Sequence, residues 1–449
     1  MDYLDTFSGF AASVNFADLP APLRAHTGWV LADTVAAMAA GSAEPELRAW
    51  AGLQPLTGGA TLVGLGRSSE PMMATLINGT AGTFLEMDEG NRFSRGHPAV
   101  HVLPAALALA ETQQLDANEF LSALVAGYEV GSRLGSASQL RSAMHPHGTW
   151  GTLGAAAACA RLLKRSGTQM RETLNIASSM TIATSKRTML EGGLVRNVYA
   201  GLSNQNGWLA AQLAGCGFTG ERDGLQSLFG AIISERFDTT ALLNGLGQDW
   251  HISRNYFKLH SCCRYNHGTL DALDALASRE GLPSAETIAR IEVVSYSHAA
   301  ELSDPAPTNT LAAKFSVPFA VATRLVNGHS GLSSFTWDAV RDTRVQALAR
   351  KVSITEDPAM TRRLPDERPA RVVITDNAGR QWMGEAGANR GDDALPYTPA
   401  ELGAKFMDLC GRVWPAAHNR QLLAATHALC AGQLDMPAWI ALLQHRPEN

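Results

Sequence analysis

The stretch Glu86-Met87-Asp88-Glu89-Gly90-Asn91-Arg92-Phe93-Ser94-Arg95-Gly96-His97-Pro98 gathers acids, arginines and a histidine into a glycine-punctuated loop between two apolar runs. Binding and catalytic groups concentrate in such loops, although a solvated loop carrying helix caps has the same composition. His97, ahead of a proline and an apolar helix, stands out because imidazole takes or gives a proton near neutral pH.

Three further clusters carry similar chemistry. His145-Pro146-His147-Gly148-Thr149-Trp150-Gly151 leads into an Ala/Gly-rich helix, whose free N–H groups and dipole suit an anion; histidines that only cap or pack are the alternative. Thr184-Ser185-Lys186-Arg187-Thr188 places a basic pair in a small-residue segment, which suggests a cavity with an anionic ligand or an ordinary surface lysine at a helix end. Lys258-Leu259-His260-Ser261-Cys262-Cys263-Arg264-Tyr265-Asn266-His267 puts cations where the hydrophobic period changes, and a domain junction is a common home for a ligand cleft. A reactive thiol beside Arg264 or His267 competes with that reading, but no cysteine-nucleophile signature surrounds Cys262 and Cys263, so packing is their expected job. His-x-His alone does not complete a metal-ligand set, and no metal is expected.

Other enzyme classes leave no mark. Gly64-Leu65-Gly66-Arg67-Ser68-Ser69 lacks the third glycine of a dinucleotide fingerprint, and there is neither a Walker A sequence nor a GxSxG elbow. The chemistry therefore falls to acid–base groups and fixed charge.

These groups must be positioned by a chain of 449 residues, longer than one growing core sustains, so two domains are expected. Hydrophobic residues make up 45% and charged residues 18%, an ordinary globular balance that argues against disorder. A net charge of −5 without like-charge runs leaves no footprint for nucleic acid. No basic, apolar leader opens the chain, and no apolar run approaches the roughly 20 residues that cross a bilayer, so a cytoplasmic protein without a membrane partner is expected. Six scattered cysteines are expected to be reduced.

Residues 99–112, 118–135, 152–164 and 202–214 carry apolar side chains at helical spacing, and their Ala/Gly content predicts a close-packed bundle. After about 267 the pattern changes. Residues 288–298 and 351–355 read as strands, and 371–375, Asp376-Asn377-Ala378-Gly379 and 380–384 as a hairpin, with helices at 314–327 and 338–350. Thr398-Pro399-Ala400-Glu401 is a capping box that restarts helix. The expected architecture is mostly α: a large helical domain from 1–267 and 398–449, and a smaller α+β lid at 268–397.

Read in order, Leu76-Ile77-Asn78-Gly79, Gly96-His97-Pro98 with Leu103-Pro104-Ala105-Ala106-Leu107-Ala108, His145 to Gly154, Ala183-Thr184-Ser185-Lys186, Cys262-Cys263-Arg264-Tyr265 with His267, and Ala313-Lys314-Phe315-Ser316 resemble the MmgE/PrpD superfamily of 2-methylcitrate dehydratases and cis-aconitate decarboxylases. The resemblance covers most of the chain. It implies the same two-domain plan, a homodimer, a cationic cleft between the domains, and catalysis without a cofactor. By motif position it implies His97, His145, Lys186 and Lys258 as catalytic residues, with Asp88, His147, Arg264 and His267 as substrate-binding residues.

The chain departs from the family pattern at named places. Glu86-Met87-Asp88-Glu89-Gly90 replaces an aspartate-rich run followed by threonine, His147 stands where threonine is common, and Phe319 where the decarboxylases carry tyrosine. A polycarboxylate substrate would lose a proton beside a carboxylate to His97 or His145, while Lys186, Lys258 and Arg264 stabilise the anion. An extra histidine and missing hydroxyls favour reprotonation from the opposite face. That expectation is an epimerase, and within the family iminodisuccinate epimerisation. The alternatives are a lyase that dehydrates or decarboxylates a tricarboxylate, and a non-catalytic polycarboxylate-binding protein.

Overall fold

A computed structural model describes residues 2–55 and 57–447. The helix Ala21–Gly41 shows why the first part of the chain packs as it does: every residue from Val30 to Gly41 is buried, so it presents no polar face and must be surrounded. Against it pack Pro71–Thr83 and, from the far end of the chain, Pro399–Cys410 and Ala416–Cys430; Leu103–Thr112, Ala117–Ala137, Trp150–Leu162 and Val198–Gly215 pack on one another and on Pro71–Thr83. Small residues set the spacing. A Cβ on Gly127 would lie 2.6 Å from the Gly154 carbonyl oxygen, and one on Gly154 2.8 Å from that of Gly127, so the 117–137 and 150–162 helices touch backbone to backbone.

The expected 99–112 helix is divided. Ala99–His101 is a 3₁₀ turn and the α-helix begins at Leu103, because Val102 leaves helical geometry (φ −122°) and Pro104 occupies the new first turn. The C-terminal helices Pro399–Cys410, Ala416–Cys430 and Met436–Leu443 return to this first core. Thr398 and Glu401 form the reciprocal capping box, Lys405 Nζ lies 2.5 Å from Asp33 Oδ1, and Trp439 packs against Phe120.

A second, smaller core gathers residues from Cys262 to Ile374 around a four-stranded sheet. Its strands are β1 (Ile288–Ser295), β2 (Val352–Glu356), β3 (Ala370–Asp376) and β4 (Gln381–Ala386), in the order β4-β3-β1-β2. The β3–β4 pairing is the expected hairpin, turned at Gly379 (φ 83°), with the Asp376 carboxylate accepting from the Ala378 and Arg380 N–H groups. β1 ends earlier than the alternation suggests: Ser295 pairs with Ala370, where β3 begins after Pro369, and the chain turns into a short helix at Ser297.

The expected 314–327 helix is likewise two, Thr310–Lys314 and Val317–Asn327. Ser316 is extended (φ −127°) and its Oγ accepts from the Phe319 N–H, a cap that restarts the helix. Asp342 splits 338–350 into Trp337–Arg341 and Thr343–Ala349 in the same way. The helix Arg264–Glu280 runs unbroken through 267 and lies on β4, where a Cβ on Gly384 would meet the Ala272 carbonyl oxygen at 2.4 Å. Among the described residues, no helix is long and apolar enough to cross a membrane. The fold is thus mostly α, with a large helical part and a smaller α+β part.

Candidate active site

Short pairings bring the four polar clusters together. Gly90–Asn91 pairs antiparallel with Asn255–Tyr256, which sets the acidic loop beside the Lys258 segment. The His145 N–H donates to the Thr184 carbonyl and the Lys186 N–H to that of Ala143, which joins the second and third clusters. Apart from Phe93 and Arg95 the acidic loop is buried, not solvated, and it lies on Trp150: a Cβ on Gly96 would enter that ring at 2.4 Å. Glu86 and Arg95 hold positive φ (55° and 58°), a conformation non-glycine residues keep only where surroundings impose it.

The result is a cavity of about 170 Å³ between the two cores, lined by His97, His145, His147, Lys186 and Arg264 among the residues singled out from the sequence. Asp88, Lys258 and His267 do not line it. Lys258 is fully buried behind the wall, where its Nζ donates to the Glu86 carbonyl (3.1 Å) and lies 3.3 Å from Glu86 Oε2 and 3.6 Å from Asp88 Oδ1. His267 is also buried, its Nδ1 3.0 Å from Arg264 Nη1 and its ring edge-on to His260. Asp88 sits one layer back, Oδ2 3.3 Å from His97 Nδ1.

Several lining residues carried no sequence pattern. Arg196 Nη1 reaches Glu86 Oε1 at 2.5 Å. Arg368 is buried with Nε and Nη1 lacking any hydrogen-bond partner among the described residues, while its guanidinium faces the Tyr256 and Tyr265 rings. Arg141 also lines the cavity, tied to the Ile232 and Ala231 carbonyls, and so does Arg95 of the acidic loop, tied to that of Ser138. At the mouth, Lys186 forms an ion pair with Glu301 of the smaller part. The only carboxylates lining the cavity among the described residues are Glu86 and Glu301, each already paired with a cation, so the net field favours a ligand with several negative charges.

The histidines form one edge-to-face cluster. His147 lies at its centre, with ring centroids 4.6 Å from His101, 4.7 Å from His145 and 5.3 Å from His97. His101 has no sequence signature beyond its place in an apolar run. Burial lowers the affinity of all of them for a second proton, taking His97 down to about 3, so the rings are neutral at pH 7. The neighbouring carboxylates diverge. Burial pushes Asp88 up, whereas Arg196 and Lys258 overcome burial and hold Glu86 down. Among the described residues, no group of three or more histidine, cysteine, aspartate or glutamate side chains is arranged to hold a metal ion.

Hydrogen bonds assign the tautomer of His97 and place His145 between two donors. His97 Nδ1 donates to the Glu89 carbonyl at 2.7 Å, which leaves Nε2 with a free lone pair. His145 Nδ1 accepts from the His147 backbone N–H at 3.1 Å and its Nε2 from the Arg196 Nε–H at 3.4 Å, so both nitrogens of this ring face donors. One imidazole is thereby set with a free base, and the other is held between two donors. Cys263 also lines the cavity, but burial and then Glu86 push its thiol up to about 11, so it stays protonated and is not a nucleophile. Phe319 packs against Phe335 in the second core and lines no cavity wall here.

The chain belongs to the MmgE/PrpD family: residues 5–235 match the MmgE/PrpD N-terminal domain and residues 260–429 the MmgE/PrpD C-terminal domain. It is similar to the cis-aconitate decarboxylase of Aspergillus terreus, 24% identical over 77% of each chain. The cis-aconitate decarboxylase-like protein oryM of Aspergillus oryzae is 25% identical over 88% of each chain, and the human cis-aconitate decarboxylase 27% identical over 75% of this chain and 72% of that one. Two of these relatives are described as decarboxylases and the third as decarboxylase-like, and the family is one of enzymes.

Proposed function

We propose that the chain is a cofactor-independent lyase acting on a small tricarboxylate, by loss of carbon dioxide or water through a carbanion beside a retained carboxylate. The observation that carries this reading is the pair of imidazoles, His97 with its free Nε2 base and His145, on one cavity lined by guanidinium groups. Arg368, Arg95 and Arg141 suit the task of holding carboxylates, since a guanidinium offers several fixed N–H donors. In decarboxylation the electrons of the broken carbon–carbon bond pass to the carbon beside the retained carboxylate, and His145 supplies the proton. In dehydration His97 Nε2 takes the proton and His145 gives one to the departing hydroxyl. Fixed cations stabilise the carbanion in both cases. The decarboxylase relatives support this reading over the epimerase expected from the sequence.

Epimerisation is the second reading, favoured by the same two rings, because inversion needs one group to take a proton and another to return it. Incubating the enzyme with cis-aconitate, 2-methylcitrate and iminodisuccinate in heavy water separates the two. Net release of carbon dioxide or water supports the lyase. Deuterium uptake and stereoisomer interconversion without net loss supports the epimerase, and neither change with any of the acids removes both.

A further inference from the structure

A second cavity, of about 680 Å³, opens between the helical part and the α+β part, away from the histidines. Its walls are largely apolar, among them Phe84, Leu85, Leu311, Leu332 and Phe335. On one wall sits Lys314, only 4% exposed. Its Nζ donates to the Phe335 carbonyl at 3.3 Å and lies 5.6 Å from that residue's ring centre, and it has no carboxylate within ion-pairing distance among the described residues. A buried ammonium without a counter-ion is unfavourable unless it loses its proton or gains an anion. Burial does weaken its hold on the proton, lowering it to about 8, so it is still mostly charged at pH 7.

The entrance selects against highly charged ligands. Glu44 is paired with Arg412 at 2.8 Å, and the exposed Asp338 and Asp408 add negative charge to the lining. A tricarboxylate would meet those acids and too little positive charge, whereas one anionic group on an apolar body meets Lys314 and the aromatic and aliphatic walls. The wall shared with the catalytic cavity is thin: Leu85 lines this cavity and Glu86 the other, and Lys314 and Phe315 divide in the same way.

We propose that this second cavity binds a monocarboxylate with an apolar body, its carboxylate paired with Lys314 and its chain or ring against Phe84, Leu311, Leu332 and Phe335. Anilinonaphthalene sulfonate, an apolar monoanion that fluoresces on burial, is the probe. With the full chain we expect saturable binding that decanoate displaces and citrate does not, and a loss of affinity of about tenfold or more in Lys314→Met. Displacement by citrate alone would place the probe in the catalytic cavity and overturn the proposal, as would unsaturable binding or unchanged affinity in Lys314→Met. Should circular dichroism show that Lys314→Met is unfolded, Leu332→Trp, which fills the same space from the other wall, replaces it: retained affinity there refutes the site, and lost affinity with a native spectrum supports it.

Discussion

His97 Nδ1 donates to the carbonyl oxygen of Glu89 at 2.7 Å, and this bond decides which nitrogen of the ring is left to do chemistry. Because a backbone carbonyl only accepts, Nδ1 carries the proton and Nε2 is a free base. The adjacent Asp88 carboxylate, 3.3 Å from the same nitrogen, is placed to stabilise the ring when it becomes charged during turnover.

We expect His97→Asn to keep the fold and lower turnover by roughly 10²–10⁴-fold, the usual range for removal of a general acid or base. Asparagine can still donate to the Glu89 carbonyl but offers no base. His145→Asn should lose a comparable factor in the reprotonation step, which deuterium incorporation into product from heavy water reads directly. Turnover within a few-fold of wild type in both variants would remove the imidazole pair from the mechanism.

Arg368 and Lys258 separate binding from architecture. Arg368→Met removes two donors, Nε and Nη1, that have no partner among the described residues, so we expect a raised KM with little change in thermal midpoint. Lys258→Met instead leaves Glu86 and Asp88 facing each other without their shared cation, and breaking a buried ion pair on one side costs about 3–5 kcal/mol. A large drop in thermal midpoint is expected for Lys258→Met only. Equal stability of the two variants would show that Lys258 is not holding the acidic loop in place.

At the cavity mouth Lys186 is held by Glu301, and the substrate must compete with that carboxylate for the ammonium. We therefore expect Glu301→Gln to lower KM and Lys186→Ala to raise it and slow turnover, with the double variant resembling Lys186→Ala. The pair is partly exposed, so its own contribution to stability is small. If Glu301→Gln instead raised KM as much as Lys186→Ala, the pair would be acting as a structural latch.

What was legible in the sequence was whatever depends on local order. Helical spacing, the Asp376–Gly379 turn and the Thr398 capping box depend on neighbours within a few residues, and the structure has them. The breaks at Ser316 and Asp342 were also local, since both residues cap the helices that follow them, but the apolar period runs on through them and hides the interruption. The site was legible only as clusters. Lys258 and Lys186 look alike as isolated lysines, yet one is locked behind the cavity wall by acids from residues 86–88 and the other stands at the opening. Arg196 and Arg368 lie in no polar cluster, and only long-range folding brings them to the histidines. Direction of a side chain is a tertiary property, and residue spacing does not encode it across such separations.

Glu89 gives the last test, through the pH dependence of stability. Its carboxyl group is buried, bonded to the Ala99 N–H, the Tyr128 hydroxyl and Asn255, and close to Asp33; burial above all pushes it up to about 8. The folded chain thus keeps a proton on Glu89 at pH values where the unfolded chain has lost it. Its contribution to stability is fully present below the ordinary glutamate range near 4.5 and is lost as the pH rises through about 8. Glutamine imitates the protonated form, so Glu89→Gln removes this contribution to the slope while Asp33, Asp88 and Glu129 keep theirs. We expect the variant's free energy of unfolding, relative to wild type, to rise from pH 5.5 until it levels off above about pH 8, by an amount on the order of a few kcal/mol. A difference that stays constant across that range would mean that Glu89 is ionised throughout, and that its three donors outweigh the cost of burying its charge.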